Sequence, residues 1–245
     1  MKKCLAYAYS LSALLALAPA AAFADPSKPH DFSGKHFTLS VGGTASDTKV
    51  TDITGEEFGE FAVRTPGGVQ SLNGNGSYFG VALGYNVQSG ALIYGGELEL
   101  GRLDINDLVV RNGDDGIYTK MSNFIALTAR LGYAKDRTLF YAKAGPAWAK
   151  IRNAGGEFEG FGEEQSDGYW GFDGDEAGFG EGIRNGYLLG LGFEHVLPSG
   201  LSFVAEYNYA DFGAVTLGHV DGNMSEPFAF ENELHLVKLG LSYRF

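Results

Sequence analysis

Apolar and polar residues alternate along much of this chain, so that every second side chain is apolar. The pattern is clearest in the segment 234–245, where one face carries a run of aliphatic and aromatic side chains: Val237, Leu239, Leu241, Tyr243 and Phe245. Successive side chains of a β-strand point to opposite faces, whereas a helix would repeat its apolar positions every three or four residues. The segment therefore predicts a strand with one apolar face.

Seven further segments alternate in the same way, so the chain predicts an all-β fold. With the last segment, the predicted strands are 35–43, 77–86, 91–103, 123–133, 138–151, 186–196, 201–210 and 234–245. Short turns follow the second, fourth and sixth strands, at 87–90, 134–137 and 197–200. Long polar connections follow the first, third, fifth and seventh strands: about thirty residues after Gly43, and then 104–120, 152–183 and 211–233.

This alternation of long and short connections favours one topology. It places all long connections at one end of a barrel and all tight turns at the other, which is typical of outer-membrane barrels. We therefore expect an eight-stranded antiparallel up-and-down transmembrane β-barrel at residues 34–245, with four long extracellular loops and three short periplasmic turns. A secreted, lipocalin-like barrel is the rival, because it has the same topology with its apolar face inward.

Two features favour the membrane barrel. The polar faces of the strands are rich in glycine and alanine, for example Gly84, Gly190 and Gly192, which suits the narrow interior of an eight-stranded barrel. Aromatic residues such as Tyr85 and Tyr133 lie toward the turn ends of the apolar faces, as in an interfacial girdle. The outer faces should then contact lipid.

Strand parity places four acids and four bases in the barrel lumen. They are Glu97, Glu99, Glu194, Glu206, Arg130, Lys143, Lys238 and Arg244. Buried charges persist only when they are paired, so we expect Arg130 and Lys143 to meet Glu97 or Glu99, and Lys238 to meet Glu206. Such a network predicts a structural plug, and the alternative is a polar or ion-conducting path.

The beginning of the chain predicts export. Lys2 and Lys3 precede a mostly apolar run, and the small-x-small pattern before Asp25 predicts a signal peptide at residues 1–24 that is cleaved after Ala24. Residues 25–33 then read as a mobile linker. Cys4 is the only cysteine, so no thiolate site is expected after cleavage. The formal charge of −12 argues against nucleic acid as a partner, because phosphate binding needs an excess of lysine and arginine.

Four parts of the sequence resemble a known family: the signal peptide, DRTLFYAKAGPAWA (136–149), EYNYADFG (206–213) and the terminal LGLSYRF. Together they are similar to the small porin-family, OmpA-like and opacity-type outer-membrane barrels, some of which bind hemin. The resemblance implies location in the outer membrane, with lipid and lipopolysaccharide as surroundings. It also implies that Tyr243 and Phe245 form the signal read by the barrel assembly machinery, while structural, adhesive, hemin-binding and pore-forming roles stay open.

Candidate catalytic and binding residues are few. His195 and His235 are the lipid-facing histidines, but no serine and acid accompany them in the pattern of a lipid deacylase, so no enzymatic activity is expected. Asp173, Asp175 and Glu176 lie in a glycine-rich segment and are weak candidates for a calcium site, since the spacing of an EF-hand loop is missing. Hemin would need an axial ligand, for which His219 is the nearest loop histidine. No cofactor is expected.

These observations favour a structural, surface-exposed barrel that supports envelope integrity and surface interactions. A narrow passive pore for small solutes is the first alternative. Binding of hemin, a cation or a host ligand through the long connections is the second, supported by the interleaved aromatic residues of the third connection: Phe158, Phe161, Tyr169, Trp170, Phe172 and Phe179.

Overall fold

The described strands form a closed antiparallel barrel. The computed structural model describes residues 29–53, 69–111, 115–158, 172–221 and 224–245. Within these ranges the strands are β1 (Gly34–Asp52), β2 (Val69–Ser89), β3 (Leu92–Arg111), β4 (Asp115–Lys135), β5 (Thr138–Phe158), β6 (Phe172–Val196), β7 (Ser202–Asp221) and β8 (Met224–Arg244). Each strand pairs with its neighbours in sequence, and β1 pairs with β8 to close the barrel. The predicted eight-stranded up-and-down barrel is confirmed.

Three tight turns define one end of the barrel, called here the turn end, and the opposite end is the loop end. Each turn contains a residue with positive φ: Gly90 at 64°, Asp136 at 53° and Gly200 at 86°. Glycine adopts this conformation without steric cost, and aspartate is one of the few other residues that tolerate it. The turn chemistry thus fixes the register of the hairpins β2–β3, β4–β5 and β6–β7.

A belt of exposed apolar side chains surrounds the turn-end half of the barrel. This apolar belt comprises Leu39, Val41, Phe79, Leu83, Tyr85, Leu92, Tyr94, Leu98, Leu100, Ile125, Leu127, Leu131, Tyr133, Phe140, Tyr187, Leu189, Leu191, Leu239, Leu241, Tyr243 and Phe245. The predicted orientation of the strand faces is therefore confirmed: the apolar faces point outward, and Lys143 points inward. A soluble barrel with an apolar interior does not fit this half of the molecule.

The strands are about twice as long as a bilayer requires. They contain 19 to 25 residues, whereas a tilted transmembrane strand needs about 9–11. The predicted bounds of the long connections are accordingly wrong. Much of 104–120, 152–183 and 211–233 continues the strands, and β1 and β2 extend into the first connection as well.

The polarity of the strands inverts where they leave the apolar belt. On β3, Leu98 and Leu100 are exposed, but Leu103 and Ile105 are buried in the lumen and Asp104 between them is exposed. The same inversion buries Leu72, Ile117 and Phe230 inside the loop-end half. Apolar side chains inside and polar ones outside are the pattern of a barrel wall in water. The turn-end half of the barrel thus has an apolar exterior, and the loop-end half has an apolar interior.

No described segment forms a helix long and apolar enough to cross a membrane.

Candidate functional site

Lys143 lies at the centre of the turn-end half of the lumen. Its Nζ atom is 3.0 Å from Glu97 Oε1, 3.0 Å from Glu99 Oε2 and 2.8 Å from Glu206 Oε2. The ammonium group, on β5, therefore joins carboxylates from β3 and β7 across the barrel. The sequence suggested Glu97 or Glu99 as its partner, and the structure brings both of them together with Glu206.

Lys238 on β8 provides a second cation beside the same carboxylates. Its Nζ atom is 2.6 Å from Glu99 Oε2 and 2.8 Å from Glu206 Oε2. Glu206 and Lys238 are directly opposite each other in the β7–β8 register, so the sheet itself places this pair. The contact with Glu99 reaches across the lumen from strands that are not neighbours.

The remaining charges extend the cluster toward the turn end. Arg130 Nη1 is 3.2 Å from Glu97 Oε2, and Arg130 Nη2 is 3.8 Å from Glu194 Oε2. Arg244 Nη2 lies 2.7 Å from Glu194 Oε1. These four acids and four bases are called the lumen network below: Glu97, Glu99, Glu194, Glu206, Arg130, Lys143, Lys238 and Arg244. Because all of them except Arg244 are buried, each charge depends on its partners in place of water.

Three neutral or titratable side chains join the lumen network and were missed in the sequence. His36 Nε2 lies 3.2 Å from Glu97 Oε2 and 2.9 Å from Arg130 Nη1. The Tyr78 hydroxyl donates to Glu99 at 2.5 Å, and the Tyr141 hydroxyl donates to Glu206. The alternation predicts their inward parity, since each precedes or follows an outward-facing aromatic residue on its strand. The tyrosines satisfy carboxylate oxygens that the cations leave available.

The carboxylates of the lumen network are the described residues best arranged to surround a cation. Oxygen atoms of Glu97, Glu99 and Glu206 lie within 4.8 Å of one another. The ammonium groups of Lys143 and Lys238 already bridge these oxygens. The protein therefore supplies its own cations at this position, and the arrangement serves charge neutralisation.

Glycines in neighbouring strands make room for the large lumen side chains. Tyr141 is opposite Gly132 on β4 and Gly192 on β6. A Cβ atom on Gly192 would lie 2.7 Å from the Tyr141 ring and 2.8 Å from Glu206 Cγ. In the same way, a Cβ atom on Gly84 would meet the His36 ring. The glycine enrichment of the inner faces thus reflects close approach by specific partners.

Gly192→Ala should destabilise the barrel by about 1–3 kcal/mol, because the added methyl group overpacks the contact with Tyr141 and Glu206. Gly182→Ala is the matched control on the same strand and the same face, since a Cβ atom there has nothing within 4 Å. Urea unfolding in lipid vesicles measures both variants. Equal loss of stability in the two would show that Gly192 is not a close-packing position.

Apolar layers enclose the lumen network on both sides. Toward the loop end, a cluster that includes Leu103, Met121 and Phe124 fills the interior, followed by one that includes Leu72 and Phe230. Toward the turn end, Ile93 and Leu139 pack with Phe32, which is fully buried. The buried charges of the lumen network therefore lie between packed apolar clusters, and Arg244 at the turn end is the one member that is partly exposed.

The segment before β1 contributes to the turn-end layer. Its described part, residues 29–33, is anchored: Phe32 N–H donates to Gln88 Oε1 at 2.6 Å, and His30 N–H donates to the Asp136 carbonyl at 2.7 Å. The expectation of a mobile linker is wrong for these residues. Partial burial lowers the pKa of His30, and the positive charge of Arg244 lowers it further. The signal peptide at 1–24 and the rest of the linker lie outside the described residues.

The sequence comparison assigns the family of this barrel. Residues 10–245 match the family described as outer membrane protein beta-barrel domain. The chain belongs to this family of outer-membrane barrels. The apolar belt is accordingly the surface that contacts lipid, and the protein is an outer-membrane protein.

Known relatives of this outer-membrane barrel come from bacterial envelopes. The 31 kDa outer-membrane immunogenic proteins of Brucella melitensis and Brucella suis are each 27% identical over 189 residues, which is 73% of this chain and 70% of theirs. Among solved structures, OprG from Pseudomonas aeruginosa is 12% identical with a TM-score of 0.47, covering 87% of this chain and 98% of that one. Ail of Yersinia pestis is 10% identical with a TM-score of 0.39, covering 86% and 99%.

The outer-face histidines of this outer-membrane barrel contact hydroxyl groups. His195 Nδ1 lies 2.9 Å from Thr138 Oγ1 beside the β6–β7 turn. His235 Nδ1 lies 2.8 Å from the Tyr207 hydroxyl, and Tyr209 packs against the same imidazole with ring centroids 5.3 Å apart. The two histidines are on β6 and β8, so the structure does not bring them together.

The cation and hemin candidates fall on or beside strands. Asp173, Asp175 and Glu176 belong to β6 instead of a turn, and His219 belongs to β7; their side chains lie outside the described residues. Of the aromatic residues in the third connection, Phe161, Tyr169 and Trp170 lie outside the described residues, and Phe158 packs beside Tyr118 and Ala154.

Proposed function

We propose that this outer-membrane barrel is a structural protein with a closed lumen that carries no catalytic step. The single observation that supports this function is the layering of the lumen, in which a neutralised charge network lies between packed apolar layers. A pore for polar solutes needs a continuous polar path, and an eight-stranded interior is just wide enough to be filled by side chains. The same layers oppose the alternative of a narrow passive porin.

Reconstitution into planar bilayers tests the closed lumen. The parent protein should produce no steady single-channel current, and Glu97→Ala should behave in the same way because the apolar layers around Leu103 and Phe32 remain in place. A general porin inserted under the same conditions is the positive control. A steady current from correctly folded parent protein would replace the structural role with a pore function.

The loop-end half of the barrel supports a further role in surface interactions. Its strands extend well beyond the apolar belt. With the loop end outside the cell, which is the orientation we propose, this half of the barrel projects from the membrane and its outer face is in water. Replacing residues 159–171 with a short glycine-serine linker leaves the paired parts of β5 and β6 unchanged. Loss of cell adhesion with unchanged envelope integrity would support surface recognition by this connection, and unchanged adhesion would exclude it.

A further inference from the structure

A basic cleft lies on the outer wall of the barrel, across strands β3 to β6. It has a volume of about 240 Å³ and is lined by Arg102, Lys120, Ser122, Asn123, Lys150, Arg152 and Glu181. Among the described residues that line this basic cleft, Glu181 is the sole carboxylate, against four bases. Such a local excess of positive charge is unexpected in a chain with a formal net charge of −12.

The basic cleft lies at the loop-side edge of the apolar belt. Arg102 comes two residues after the exposed Leu100, and Asn123 comes two residues before the exposed Ile125. Lys150 is opposite Ile183, whose side chain is 75% exposed. A lipid whose acyl chains contact the belt would therefore have its headgroup at the height of these bases.

The sheet brings like charges together in the basic cleft. Lys120 and Arg152 are direct partners in the β4–β5 register and share the outer face. Like charges directly opposite each other destabilise a sheet. Glu181 neutralises the bases on the β5 side of the cleft: it accepts a hydrogen bond from Arg152 Nε at 2.6 Å and forms an ion pair with Lys150. The side with Arg102 and Lys120 would be neutralised by an anion in the cleft.

We infer that the basic cleft binds a phosphate group of a phosphorylated glycolipid, lipopolysaccharide, in the leaflet at the loop end. Arginine and lysine are the side chains that best pair with phosphate, and Asn123 adds a neutral donor at the same height. The acyl chains of the lipid then lie along the belt near Leu100 and Ile125. The inference rests on the proposed orientation of the barrel, but it does not depend on whether the lumen conducts.

Binding of purified lipopolysaccharide to the full-length protein in detergent micelles tests this inference. The double variant Arg102→Gln/Lys120→Gln should bind at least about tenfold more weakly than the parent, since two charge-assisted contacts to phosphate are lost. The control Lys35→Gln/Lys49→Gln removes the same charge from two exposed positions on β1 and should bind like the parent. Lipopolysaccharide that has been treated with phosphatase should bind the parent about as weakly as the intact lipid binds the double variant.

Several results would overturn the inference. They are a parent that does not bind, equal affinity of the parent and the double variant, or equal binding of the dephosphorylated lipid. Competition by inorganic phosphate at the same concentration as lipopolysaccharide would also overturn it, because the site would then recognise a free anion. Planar-bilayer currents of the double variant should match those of the parent, since the cleft is outside the lumen, so failure here is separate from failure of the closed-lumen proposal.

Discussion

Replacing Lys143 with methionine should destabilise the barrel by about 3–5 kcal/mol. The substitution keeps most of the side-chain volume but removes the cation that lies within 3.0 Å of Glu97 and Glu99 and within 2.8 Å of Glu206. Removing one member of a buried ion pair leaves an uncompensated charge, which costs far more than the pair itself contributes. The measurement is the free energy of unfolding in urea, in lipid vesicles.

Lys49→Met is the matched control for this prediction. Lys49 pairs with Glu231 at 3.5 Å on the exterior, where both side chains are about half exposed. Exposed pairs contribute about 0–1 kcal/mol, so this variant should stay close to the parent. If Lys143→Met lost no more stability than Lys49→Met, the carboxylates of the lumen network could not depend on Lys143 for neutralisation.

Phe124→Ala should have a comparable effect, a loss of about 3–5 kcal/mol, because it opens a cavity in the apolar layer above the charges. Phe124 is 1% exposed and packs edge-to-face with Tyr78, with ring centroids 6.4 Å apart. Truncation therefore removes contacts with the layer and also loosens the tyrosine that donates to Glu99.

Phe79→Ala is the control for the cavity. Phe79 follows Tyr78 in sequence but belongs to the apolar belt, with its side chain 57% exposed. Lipid can fill the space left by truncation on this face, so the cavity contribution is absent and the loss should be smaller. Both variants are compared by the same urea titration. A larger loss for Phe79→Ala would mean that the loop-end interior is loosely packed.

Strand parity, and with it the content of the lumen, could be predicted from the sequence. In the belt, the glycine-rich inner faces and the aromatic residues near the turns indicated which face points outward, and Leu131 and Leu191 are indeed exposed whereas Arg130 and Glu206 are buried. The ion pairs within the lumen could be predicted only in part. Glu206 and Lys238 are cross-strand neighbours, but the contact of Lys238 with Glu99 depends on the stagger of strands on opposite sides of the barrel.

The strand ends could not be predicted, because the face that carries the apolar side chains changes from the outer to the inner one along each strand. The sequence pattern used to predict a strand was an apolar outer face. On β3 this pattern ends at Arg102, because the outer face beyond it is polar and the apolar side chains point into the lumen. Leu103 and Ile105 continue the alternation of apolar and polar residues, but here the apolar side chains are the buried ones. The basic cleft was missed for the same reason, since Lys120 and Arg152 were assigned to connections.

The orientation of the belt is the central claim, and nitroxide accessibility tests it most directly. Cys4 is the only native cysteine, so single labels can be placed in a Cys4→Ser background at Leu131, Leu191 and Leu241, which are 59%, 65% and 53% exposed. In lipid vesicles, power-saturation electron paramagnetic resonance should show high collision rates with oxygen and low rates with a water-soluble nickel chelate at all three positions. High nickel accessibility, or inaccessibility to both reagents, would contradict a barrel whose greasy face meets lipid.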